Sequence, residues 1–91
     1  MQATDLKSEI QADIAANKVI VYSKTFCPYC DRTKELLNSK GVTYKLHELD
    51  KLSNGDAIQS TLKTLTNQST VPNIFINGAH IGGNSDLQAL N

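Results

Sequence analysis

The run VIVYS, Val19 to Ser23, followed by Pro28, Gly41 and the alternating stretch VTYKLHEL, Val42 to Leu49, constrains the fold of this chain more than any other feature. Five residues dominated by β-branched side chains are too short for a helix and suit a strand covered on both faces. Pro28 is well placed at the first position of a helix, and Gly41 supplies a stop after Leu36 and Leu37. Val42 to Leu49 alternates in polarity and is expected to be the next strand. Strand, helix and strand within about thirty residues make a βαβ unit, which requires parallel strands joined by a right-handed crossover.

The flanking segments extend this unit. Leu6, Ile10 and Ile14 recur every fourth residue, with Thr4 or Asp5 available as a cap, and predict an amphipathic helix. Ile58, Leu62 and Leu65 predict another helix, ending near Asn67. In VPNIFINGAHIGG the segments NIFI and AHI flank Asn77-Gly78, a strong hairpin signal, so an antiparallel pair should close the sheet. Gly82 and Gly83 break the second strand, and NSDLQAL is expected to open a last helix capped by Asn84 or Ser85. The expected order is α-βα-β-α-ββ-α, an α/β fold.

Ninety-one residues, 40% of them hydrophobic, suffice for one modest core, so residues 1-91 are expected to form a single domain. Nine basic residues balance nine acidic ones without a basic run, which argues against nucleic acid or an anionic membrane as partner. The N-terminal stretch MQATDLKSEIQADIAANK carries charges throughout and has no apolar core, unlike a signal peptide or a membrane span. A soluble, cytoplasmic, monomeric protein is the expectation.

Both cysteines fall in SKTFCPYCDRTKELL, two residues apart. Such a pair can be half a zinc site, a redox dithiol, a structural staple or an accident of sequence. Two cysteines are too few for a disulfide framework, and zinc needs two further ligands where only His47 and His80 exist, each alone on an expected strand. We therefore read both histidines as ordinary, partly exposed strand residues and expect no metal. Cys27 should sit at a strand-to-helix turn, where unpaired N–H groups and the helix macrodipole favour a thiolate. Lys24 adds positive charge nearby, whereas Asp31 and Glu35 oppose it. Cys30 should lie one helical turn further in, on the same face, within disulfide reach and better shielded. That asymmetry casts Cys27 as attacker and Cys30 as resolver. Pro28 removes a donor and stiffens the turn, while Tyr29 offers an aromatic wall.

With CPYC at 27 to 30, TVP at 70 to 72, and Gly82-Gly83 followed by NSD, the chain resembles the dithiol glutaredoxins along nearly its whole length. Thioredoxins, which usually carry Trp-Cys-Gly-Pro-Cys, are a weaker match, because this chain has no tryptophan and has Phe26 before the first cysteine. The resemblance implies a thioredoxin-like fold with a four-stranded mixed β-sheet flanked by helices. It also implies a cis bond at Val71-Pro72 and glutathione as co-substrate. By the same resemblance, Lys24 and Gln59 would meet the glycyl carboxylate, the Val71 backbone within Thr70-Val71-Pro72 would pair with the cysteinyl unit, and Tyr29 would line the groove. Gly83, Asn84 and Ser85 would receive the γ-glutamyl carboxylate, and Asp86 its ammonium. Ser69 departs from the Arg or Lys that many relatives carry before TVP, which removes one source of positive potential. The implied activity is glutathione-dependent reduction of glutathione mixed disulfides and protein disulfides. The alternative is an iron–sulfur cluster carrier, against which Pro28 argues, since cluster-binding relatives more often have Gly or Ser there.

Overall fold

The computed structural model describes residues 5–90. Its elements are α1 (Leu6–Ala16), β1 (Val19–Ser23), α2 (Pro28–Ser39), β2 (Lys45–Glu48), a 3-10 turn (Leu49–Lys51), α3 (Gly55–Thr66), β3 (Asn73–Ile76), β4 (Ala79–Gly82) and α4 (Asn84–Leu90). The strands form one mixed sheet in the order β2-β1-β3-β4. β1 runs parallel to β2 and antiparallel to β3, and β3 pairs antiparallel with β4.

β1 occupies the middle of three layers, and all five of its residues are buried. Its alternation divides the core. Ile20 and Tyr22 pack with Ile10 and Ile14 of α1, Ile58 and Leu62 of α3, and Phe75. On the other face Val19 and Val21 pack with Leu37 of α2, Leu87 of α4, and Ile74. Each such side chain contributes about 1.5–3 kcal/mol through burial. No helix among the described residues is long and apolar enough to cross a membrane.

Local signals account for most boundaries. Asp5 caps α1, its carboxylate accepting the Lys7 N–H at 3.2 Å, whereas Thr4, the other candidate, lies outside the described residues. Asn67 ends α3 in the left-handed region at φ 65°. Asn77 and Gly78, with φ of 52° and 82°, make the hairpin turn between β3 and β4. That pair of positive φ angles matches the right-handed twist of the flanking strands.

One strand is shorter than the alternation predicts: β2 spans Lys45–Glu48 rather than Val42 to Leu49. At its start the backbone is still terminating α2, the Gly41 N–H donating to the Asn38 carbonyl and the Val42 N–H to the Leu37 carbonyl. Leu49, meanwhile, turns into the core at 2% exposure and begins the 3-10 turn. Both ends of the alternating stretch are therefore taken by other bonds.

Candidate active site

β1 delivers the chain to a short loop, Lys24–Phe26, and Cys27 follows as the N-cap of α2 with Pro28 at its first position. The Cys27 sulfur accepts the Cys30 N–H at 3.1 Å, so the thiol itself satisfies one of the unpaired donors of the first helical turn. Across the gap, the Cys27 thiol donates to the Val71 carbonyl, with sulfur and oxygen 3.7 Å apart. Both cysteines are free thiols; Cys27 is half-buried and Cys30 fully buried. Burial, and then a hydrogen bond with Cys27, push the Cys30 thiol up to about 11. One accessible sulfur thus stands in front of a shielded, protonated one, as the helical spacing predicts.

The loop facing Cys27 is held at three of its carbonyls by two glutamine side chains. The Val71-Pro72 bond is cis, as the family resemblance implies. The Gln68 side-chain amide donates to the Thr70 carbonyl at 3.0 Å and to the Pro72 carbonyl at 2.9 Å, bracketing Val71. Its oxygen faces His80 Nε2 at 3.1 Å, which places the imidazole proton on that nitrogen. From α3, Gln59 donates to the Ser69 carbonyl at 2.6 Å.

At the start of α4 the cap is Gly83 rather than Asn84 or Ser85. The Gly83 carbonyl accepts the Leu87 N–H at 3.1 Å, and its N–H donates to Asp86 Oδ2 at 3.0 Å, a return bond of the capping-box kind. The Asn84 side chain is not free to cap, because its Oδ1 accepts from the Thr33 hydroxyl of α2 at 3.0 Å and from Gln88 at 3.2 Å.

Between these elements lies a cavity of about 450 Å³ lined by Tyr29, Thr70, Val71, Pro72, Gly83, Asn84 and Ser85. All seven were singled out from the sequence. Tyr29 is 59% exposed at the rim, and the Arg32 guanidinium lies over its ring, 5.6 Å from the centroid. Lys24, Gln59 and Asp86 are absent from that lining. Gln59 and Asp86 instead spend a polar atom inside the chain, on Ser69 and Gly83 respectively. His47 is half-buried on β2 and His80 exposed on β4.

Two supports escaped sequence reading. Both Asp50 carboxylate oxygens accept from Thr25, one from its N–H at 2.9 Å and one from its hydroxyl, which ties the loop before Cys27 to the 3-10 turn after β2. Lys34 of α2 donates to Glu48 of β2 at 2.9 Å. Burial disfavours charge on both partners of that pair, but their mutual hydrogen bond and attraction outweigh it, raising the Lys34 pKa and lowering that of Glu48. Asp50 and Thr25 are 25 residues apart, and no local pattern announces their pairing. Gln68 was more accessible to inference, since it lies between the helix-ending Asn67 and the TVP segment.

Among the described residues, no three His, Cys, Asp or Glu side chains cluster as a metal site would require. The chain matches the glutaredoxin family model over residues 19–81. It is 53% identical over 78 residues to glutaredoxin-C6 of Oryza sativa subsp. japonica, a match covering 86% of this chain and 70% of the relative. It is 54% identical over 70 residues to glutaredoxin-C1 of Arabidopsis thaliana, covering 77% of this chain and 56% of that one. Among solved structures, a buckwheat glutaredoxin–glutathione complex superposes with a TM-score of 0.90 at 44% identity, covering 92% of this chain and 76% of the other. With the family match spanning most of the sheet and both cysteines, the chain belongs to the glutaredoxins, thioredoxin-fold enzymes that act as glutathione-dependent oxidoreductases.

Proposed function

We propose that this enzyme reduces glutathione mixed disulfides and protein disulfides through Cys27 and Cys30. The observation that carries this reading is an accessible Cys27 sulfur, bonded to the Cys30 N–H and to the Val71 carbonyl, beside the cavity that Val71 also lines. Glutathione in that cavity would present its cysteinyl unit to Val71, with Tyr29 as a wall. Its γ-glutamyl end would lie toward Gly83, Asn84, Ser85 and Asp86, and its glycyl end toward Lys24 and Gln59. The solved complex of the buckwheat relative with glutathione supports this choice of ligand.

In the first step the Cys27 thiolate attacks the glutathione sulfur of a protein–glutathione disulfide. The old S–S bond breaks, the protein sulfur leaves as a thiolate and takes a proton from solvent, and a Cys27–glutathione disulfide remains. The thiolate of a second glutathione attacks the glutathione sulfur of that intermediate, releasing oxidised glutathione and the Cys27 thiolate. With a protein disulfide, the Cys27 thiolate attacks one protein sulfur, the protein S–S bond breaks, the other sulfur leaves as a thiolate that takes a proton from solvent, and a Cys27–protein mixed disulfide remains. Cys30 gives up its proton and attacks Cys27, which releases the protein thiol and closes a Cys27–Cys30 disulfide that two glutathiones reduce. Glutaredoxin potentials of roughly −200 to −230 mV are near enough to the glutathione pool for this exchange to run in both directions. We place the chain in the cytoplasm, acting as a monomeric single domain on glutathionylated or disulfide-containing proteins.

Turnover of cysteine–glutathione disulfide, coupled to glutathione reductase, tests the reading. Sustained turnover with glutathione alone as reductant supports it, and a requirement for a flavoprotein thioredoxin reductase contradicts it.

A further inference from the structure

Phe26 is the most exposed large apolar side chain among the described residues, with 72% of its surface in water. It belongs to neither hydrophobic core and does not line the cavity beside Cys27. Its backbone is nevertheless tightly held. Thr25 before it is fixed by both oxygens of Asp50, and Cys27 after it is fixed as the cap of α2. Single exposed apolar residues are ordinary on protein surfaces, so exposure alone decides nothing. Position does, because Phe26 directly precedes the attacking cysteine in a loop braced on both sides.

We propose that Phe26 is the contact for the polypeptide part of glutathionylated protein substrates, taking an aliphatic or aromatic side chain within one or two residues of the modified cysteine. The inference rests on the function proposed above. In thiol–disulfide exchange the attacking, central and leaving sulfurs lie near one line. When the glutathione half occupies the cavity, the leaving sulfur and its polypeptide are carried outside that cavity, over the surface around Cys27. An extended chain advances about 3.3 Å per residue, so a side chain one or two positions from the modified cysteine can reach the Phe26 ring. Covering two apolar surfaces there favours binding, and the braced backbone on either side limits what must be ordered on contact to the side chain itself. A small mixed disulfide has no side chain to offer, so Phe26 separates protein substrates from small ones.

The test uses two glutathionylated pentapeptides, identical except for Leu or Ser next to the modified cysteine, together with cysteine–glutathione disulfide. Wild type is expected to favour the Leu peptide by about fivefold in kcat/KM. Phe26→Ala should lose that preference while keeping turnover of cysteine–glutathione disulfide within about twofold, and Phe26→Leu should retain most of the preference. Equal use of the two peptides by wild type, a preference that survives Phe26→Ala, or a parallel loss on all three substrates would each overturn the proposal. A wild-type protein that turns over none of the three would instead sink the oxidoreductase reading, and this inference with it.

Discussion

Asp50 holds Thr25 with both carboxylate oxygens, accepting its N–H at 2.9 Å and its hydroxyl. Thr25 lies two residues before Cys27, so this exposed carboxylate fixes the approach of the loop to the attacking sulfur. The Thr25 hydroxyl, more than any other group, holds the Asp50 pKa below its ordinary value. A lowered folded-state pKa means that the stabilisation is present above the ordinary carboxylate range and disappears as pH falls through the lowered value. Asp50→Asn should lower kcat/KM on mixed disulfides about threefold. It should also make the loss of stability in acid shallower, as read by urea unfolding at descending pH. Unchanged activity together with an unchanged acid slope would make the contact idle.

Gln68 links His80 to the two carbonyls that flank Val71. Removing its side chain leaves the Thr70 and Pro72 carbonyls without that donor and frees the loop that faces Cys27. Gln68→Ala is expected to raise KM for a glutathione mixed disulfide about fivefold with a smaller change in kcat. Steady-state kinetics decides it, and a fall in kcat with constant KM would contradict a role in shaping the groove.

Cys30 is pushed up to about 11 from 9.0 by burial first and by its hydrogen bond with Cys27 second. The sign follows from the raised value: the contribution is complete below the unfolded value and is lost as pH climbs through the folded one. Melting temperature should therefore decline between about pH 9 and 11, and less steeply in Cys30→Ala. Tyr22, also raised, by burial and then by Asp13, adds a loss of the same sign at still higher pH. Iodoacetamide at pH 8 should label Cys27 alone in the native protein, as peptide mapping by mass spectrometry would show. Rapid labelling of Cys30 under those conditions would contradict its shielding.

Gly55 begins α3 directly against the Leu49 backbone, and a Cβ added there would collide with the Leu49 carbonyl. Helix propensity alone would favour alanine by about 1 kcal/mol. The collision involves backbone, which cannot swing aside, so Gly55→Ala should instead destabilise the protein by about 2 kcal/mol. Chemical denaturation reads the sign directly.

Much of the fold was legible because its signals are local. β1 shows as a β-branched run, α1 and α3 as apolar residues three or four apart, and the hairpin as Asn77-Gly78, whose positive φ angles the turn requires. The length of β2 was not legible, since alternation in polarity continues through residues whose backbone is claimed by the end of α2 or by the turn at Leu49. At the site, Tyr29 from between the two cysteines, the TVP segment and the start of α4 line one cavity, and Cys27 reaches its edge through the bond to the Val71 carbonyl. The bonds that brace this arrangement, Asp50 to Thr25 and Asn84 to Thr33, join residues distant in sequence by side chains common at any surface. Nothing in their spacing distinguishes them. The cap of α4 is Gly83 and not the expected Asn84 or Ser85, because Asp86 supplies the capping oxygen from within the helix.

Turnover of cysteine–glutathione disulfide by wild type, Cys27→Ser and Cys30→Ser, measured side by side, tests the division of labour between the two sulfurs most directly. If Cys27 attacks and Cys30 serves only to resolve protein disulfides, Cys27→Ser falls below about 1% of wild type while Cys30→Ser keeps about half or more. Equal loss in the two variants would contradict that account.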